Sequence, residues 1–167
     1  MKKLLVILIG VFFLIGCATL HSQSIEHEAW LNIHDVFYSQ VEPTSYYGPM
    51  DIIVNPVFNY GDEPYLVIRF GGLQPDEHNV VHWTVTLDIM CNMSSYGNLS
   101  DSFTLDLNDP DVTRDRYKNT VPLTMDPDLR AGLYTIAIII KDDTSTAIDV
   151  ESVEFTLLPW EKCPYDY

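Results

Sequence analysis

HWTVTLDIM, residues 82–90, alternates without a break: Trp83, Val85, Leu87 and Ile89 share one parity, and His82, Thr84, Thr86 and Asp88 the other. In an extended chain successive side chains point to opposite faces, so this stretch reads as a half-buried strand with its apolar face inward. Working outward, further apolar-rich runs flank it: WLNIHDVFYSQV, DIIVNPVFNY and PYLVIRFGGL before, DSFTLDL, NTVPLTM, LYTIAIII and VESVEFTLL after. The central run extends to VVHWTVTLDIMC, and turn residues separate its neighbours in NYGDEP, GGLQPDEHN, SSYGN and LNDPDVTRDR. Eight short runs at this spacing predict an all-β sandwich or barrel. Outside the N-terminal leader no stretch of ten or more residues carries a helical apolar stripe, so little or no long helix is expected.

Two of these runs narrow the fold. DPDLRAGLYTIAIIIKD (126–142) followed by VESVEFTLL (150–158) resembles the last two strands of immunoglobulin-like and fibronectin-like sandwiches, in which a Tyr after an Ala-Gly turn opens the penultimate strand. The resemblance covers roughly residues 64–158. It implies an immunoglobulin-like antiparallel β-sandwich of about 7–9 strands, with Tyr134 as the tyrosine-corner residue and Trp83 as the core tryptophan of strand C. No cysteine pair is placed to bridge strands B and F, which departs from the antibody pattern.

The same strand assignment brings Cys91 and Cys163 into question. In such a sheet strands C, F and G are neighbours, and the C-terminal ends of C and G lie together. The five residues from Leu158 to Cys163 can reach about 17 Å, and two inter-strand steps need about 10 Å. A bridge is thus feasible, and closing a loop of roughly 70 residues would stabilise the domain by about 4 kcal/mol on the chain-entropy model. Two free thiols, or a Cys91 acting as a small buried hydrophobe, remain the alternatives.

At the N-terminus, MKKLLVILIGVFFLIGC has Lys2 and Lys3, an apolar run from Leu4 to Ile15, and Gly16 before Cys17. That is the layout of a signal peptide, and the run is shorter than the roughly 20 apolar residues of a membrane span. Leu14, Ile15, Gly16 and Cys17 resemble the lipobox of bacterial lipoproteins. The resemblance implies diacylglyceryl transfer to the Cys17 thiol, cleavage after Gly16 and a lipid-anchored envelope protein. Ala18 favours the outer membrane where the host has two. An ordinary signal peptide or an uncleaved anchor is the alternative. The expected organisation is a signal peptide over 1–16, a lipidated tether over 17–29, a sandwich domain over 30–158 and a tail over 159–167.

The whole chain carries a formal charge of −15; without residues 1–16 it keeps 7 Lys and Arg against 24 Asp and Glu, a formal −17. Such a charge argues against nucleic acid and anionic lipid surfaces as partners. The remaining length of about 150 residues suits one domain with a real core. No nucleophile elbow, phosphate-binding Gly-rich loop, His-Glu-x-x-His or Cys-x-x-Cys occurs, so no enzyme activity is expected.

The remaining chemistry is ligand-like. His78 and His82 have helical metal spacing, but on a strand four residues span about 13 Å, and solvent-facing histidines fit better. Acids cluster at Asp106, Asp109, Asp111 and Asp115, at Asp126 and Asp128, and at Asp142 and Asp143. Loop oxygens of this kind can gather Ca²⁺, with Asp109, Asp111, Asp142 and Asp143 as weak candidates, although acidic loops are more often just solvated. YSQVEPTSYYGP, with Tyr38, Tyr46 and Tyr47, reads either as an exposed recognition loop or as cover for the sandwich edge. The expected function is a membrane-anchored, non-catalytic module binding an envelope or extracellular protein. A Ca²⁺- or carbohydrate-binding adhesion module is the alternative.

Overall fold

The structure, a computed structural model, describes residues 30–48 and 50–159. The leader, Cys17, the tether and Cys163 lie outside these residues. The eight apolar runs become nine strands: β1 (Asn32–Ser39), β2 (Ile52–Ile53), β3 (Val57–Phe58), β4 (Tyr65–Gly71), β5 (Val80–Cys91), β6 (Ser94–Asp106), β7 (Tyr117–Pro122), β8 (Gly132–Asp142) and β9 (Ile148–Leu157). They form two sheets, in the orders β2-β1-β4-β7 and β3-β9-β8-β5-β6. With β1, β4 and β7 as strands A, B and E, and β9, β8, β5 and β6 as G, F, C and C′, this is the immunoglobulin-like sandwich that the sequence predicts.

One pairing departs from the antiparallel expectation. The run DIIVNPVFNY splits at Asn55, which takes a positive φ of 54°, and the chain leaves the first sheet for the second. There β3 lies parallel to β9, with Val57 opposite Thr156 and Phe58 opposite Leu157. The crossing seats Phe58 against Tyr38 and Phe155, each 5.5 Å away between ring centres.

A second departure concerns SSYGN, expected as a turn. The turn falls earlier, at Asn92 and Met93, whose φ values of 49° and 64° have the signs of a two-residue type I′ hairpin. SSYGN instead begins β6, where Ile89 pairs with Gly97 and Met90 with Ser95, leaving Tyr96 as a bulge. Its ring meets Tyr134 edge-on at 5.8 Å.

Between the sheets, Leu66, Ile68 and Phe70 of β4 share one buried core with Val81, Trp83, Val85 and Leu87 of β5 and Ile136, Ile138 and Ile140 of β8. Each such side chain contributes roughly 1.5–3 kcal/mol on burial. Trp83 stacks on Phe103 at 5.5 Å and donates its Nε1 hydrogen to Asn119 Oδ1 of the opposite sheet at 2.8 Å. Strands β1 and β9, each next to the short edge strand of its sheet, run in the same direction in facing sheets: Ile33 N donates to Asp149 Oδ2 at one end, and Tyr38 meets Phe155 at the other.

Candidate recognition surface

Burial along β4 breaks the half-and-half rule of a sandwich strand. Leu66, Ile68 and Phe70 face the core, yet Val67, on the opposite face and outside the core cluster, is 0% exposed. Something covers the outside of this sheet. The segment between β1 and β2 leaves at Ser39, whose Oγ donates to Val41 O, and returns where Gln40 N donates to Asp51 O. In between it lies on the outer face: Lys118 Nζ of β7 donates to Pro43 O, and Arg69 Nη2 of β4 donates to Met50 Sδ.

A turn closed by Gly48 N donating to Ser45 O presents Tyr46 and Tyr47, which meet edge-on at 4.8 Å. The Tyr46 hydroxyl is 2.7 Å from His34 Nδ1. The Arg69 guanidinium lies 5.1 Å from the Phe37 ring and 5.1 Å from the Tyr46 ring, and Arg116 sits 5.0 Å above Tyr47. Cations over aromatic faces attract the ring quadrupole and hold the rings in place. Desolvation, then the neighbouring Tyr47, raises the Tyr46 phenol above its ordinary pKa, so it stays neutral.

The register explains why the cations gather. Asp35, Arg69 and Lys118 lie in one row across β1, β4 and β7. Like charges directly opposite destabilise a sheet. Here Asp35 stands 3.7 Å from Arg69, and the loop carbonyl of Pro43 takes Lys118. Arg69 Nε nevertheless stays buried with no hydrogen-bond partner among the described residues. In a chain of net −15, Arg116 lies over Tyr47, which is 64% exposed, and Arg69 over the neighbouring Tyr46. Tyr38, grouped with these tyrosines by sequence, is instead a core residue. Arg69, Arg116 and His34 escaped sequence reasoning; the one available signal was an arginine inside the apolar run PYLVIRFGGL.

The acidic loops are mostly self-satisfied. Asp106 Oδ1 accepts from Asn108 N, Asp109 Oδ1 from Asp111 N and Asp126 Oδ1 from Asp128 N. These are turn-shaping bonds that offer the backbone a local partner. Asp142, one of the weak metal candidates, is 0% exposed, and its carboxylate accepts from Gln74 N, Thr144 N, Ser145 N and Ser145 Oγ. Asp143 points outward to Lys141 Nζ and Thr84 Oγ1, both at 2.8 Å, and these hold its pKa down, the lysine most. No group of three or more metal-ligating side chains forms among the described residues. His78 is exposed, and His82 Nε2 lies 3.1 Å from Asp76 Oδ2. Asp76 also accepts from Val80 N and His78 N, and the Val80 amide is the chief cause of its lowered pKa.

Tyr134 is buried, and its hydroxyl donates to Arg130 O at 2.8 Å, four residues upstream, as a tyrosine corner requires. Cys91 is a buried, free thiol beside it. Among the described residues no disulfide is found: Cys91 faces the core with Leu87 and Tyr134, and Cys163 lies outside them.

Fold and surface together define an immunoglobulin-like sandwich carrying an aromatic and cationic patch. No family model matches the chain, and no curated protein sequence matches it. Among solved structures it is similar to the CARDB domain of the PF1109 protein from Pyrococcus furiosus, crystallised with di-metal ions, at 15% identity and a TM-score of 0.39, over 74% of this chain and 88% of that one.

Proposed function

We propose that this chain is an envelope lipoprotein whose immunoglobulin-like domain is a non-catalytic interaction module. Lys2, Lys3, the apolar run and the Leu14 to Cys17 lipobox support the anchor. Acyl chains on Cys17, at about 0.8 kcal/mol per buried CH₂, hold a soluble domain on a bilayer. Ala18 favours the outer membrane of a two-membrane host. The observation that carries the binding role is the exposed Tyr47 ring, braced by Tyr46 and Arg116 in an otherwise acidic chain. Tyrosine gives contact area at low entropic cost, and a pre-braced ring loses little freedom on binding.

Two measurements test this. Intact mass of membrane-purified protein, beside Cys17→Ala, is expected to show loss of residues 1–16 and added diacylglyceryl mass in the native form only; an unlipidated native form removes the anchor. Crosslinked pull-downs from envelopes are expected to return reproducibly, with the native chain, a protein that Tyr47→Ala loses. Equal recovery by both refutes the patch, and glycan binding in its place favours the adhesion alternative.

A further inference from the structure

β6 is the last strand of its sheet, and β7 the last of the other, and they border the same side of the sandwich. Immunoglobulin-like folds can place further strands here, but residues 107–116 make turns instead, with Asp109 N donating to Asp106 O and Val112 N to Asp109 O. A groove of roughly 410 Å³ opens between the two edges, with Val85, Leu87, Leu99, Phe103 and Val121 in its walls. Natural edge strands are blunted by brevity, proline, bulges or charged side chains, inward-pointing ones included, and here the groove-facing charge is Asp101, which repels an acidic strand and leaves room for a basic one. β6 runs 13 residues without lysine or proline, and its bulge at Tyr96 sits near one end. Beyond the bulge, Leu99, Asp101 and Phe103 share the parity that faces the groove, opposite Leu87, Val85 and Trp83 of β5.

Asp101 is the one charged side chain lining this groove. Its Oδ1 accepts only from the adjacent Ser102 N, and it has no ion-pair partner among the described residues. A second copy of the chain would bring another strongly acidic surface to the same edge. We propose that the β6 edge takes an extended segment of a partner protein as an added strand, its alternate apolar side chains filling the groove and a Lys or Arg meeting Asp101. This gives the interaction module above a second partner surface, distinct from Tyr47.

The test uses the full chain in detergent and two 11-residue peptides of alternating Val and Thr, one with a central Lys and one with a central Glu. The Lys peptide is expected to bind saturably and to slow amide hydrogen exchange within residues 97–105. The Glu peptide is expected to bind about tenfold or more weakly, and Asp101→Lys to invert that order. Asp101→Asn, which keeps the shape, is expected to erase the preference and serves if the charge reversal does not fold. Tyr47→Ala is expected to leave peptide binding unchanged, so failure here does not touch the Tyr47 patch. The proposal is overturned by absence of saturable binding, by protection elsewhere, or by indifference to Asp101. Concentration-dependent dimerisation that protects β6 without peptide overturns it in favour of a second copy.

Discussion

Asp142 and Asp143 are adjacent in sequence, and their carboxylates face opposite ways. Asp142 is buried and holds four donors from two loops, so its removal leaves Gln74 N, Thr144 N and Ser145 without their acceptor. Asp142→Ala is expected to lower stability by about 3 kcal/mol in urea unfolding, because buried donors stripped of a charged acceptor lose both bond and solvation. With all four of those contacts inside the protein, Ca²⁺ is expected to leave the native melting temperature unmoved. Tyr134→Phe removes the hydroxyl's bond to Arg130 O and its contact with the Cys91 thiol while keeping the ring stacked on Phe155 at 4.8 Å. A cost of about 1 kcal/mol follows, read from the same unfolding curves.

Among elements, the loop entering β5 and the β8–β9 hairpin share the pH dependence. Asp76 and Asp143 both have folded pKa values below their unfolded ones. Their contribution is therefore complete above the ordinary carboxylate range, near about 4, and is lost as pH falls through the depressed values. Asp76→Asn is expected to shrink the acid-induced loss of stability, measured as melting temperature against pH; an unchanged slope contradicts the assignment. At this scale the sequence was most legible. All eight apolar runs contain a strand, because alternation is a local property of residues such as those in HWTVTLDIM. What it hid was long-range. SSYGN looks like a turn, but Asn92 also tolerates positive φ, and placing the hairpin there lets β6 pair along all of β5. The parallel β3 and the cover over Val67 depend on contacts between residues distant along the chain, such as Pro43 with Lys118. The binding patch shared that fate: YSQVEPTSYYGP announced two of its aromatics, whereas its cations come from β4 and the start of β7.

For the molecule as a whole, the two sheets are joined by apolar packing, by Ile33 N donating to Asp149 Oδ2 and by a buried polar link, Trp83 Nε1 to Asn119 Oδ1. Trp83→Phe leaves that amide oxygen unpaired and a void beside Phe103, so a loss of about 3 kcal/mol is expected. A double-mutant cycle with Asn119→Ala should return a coupling of about 1 kcal/mol; strict additivity denies the link. The strand directions carry a mechanical consequence. Because β1 and β9 run the same way in facing sheets, tension entering before β1 and leaving after β9 pulls the two strands in opposite senses along their own axes. The ladders β1–β4 and β8–β9, with bonds perpendicular to the strands, are then loaded all at once instead of unzipping pair by pair. A domain tethered at its start and gripped beyond its last strand resists force as a shear joint.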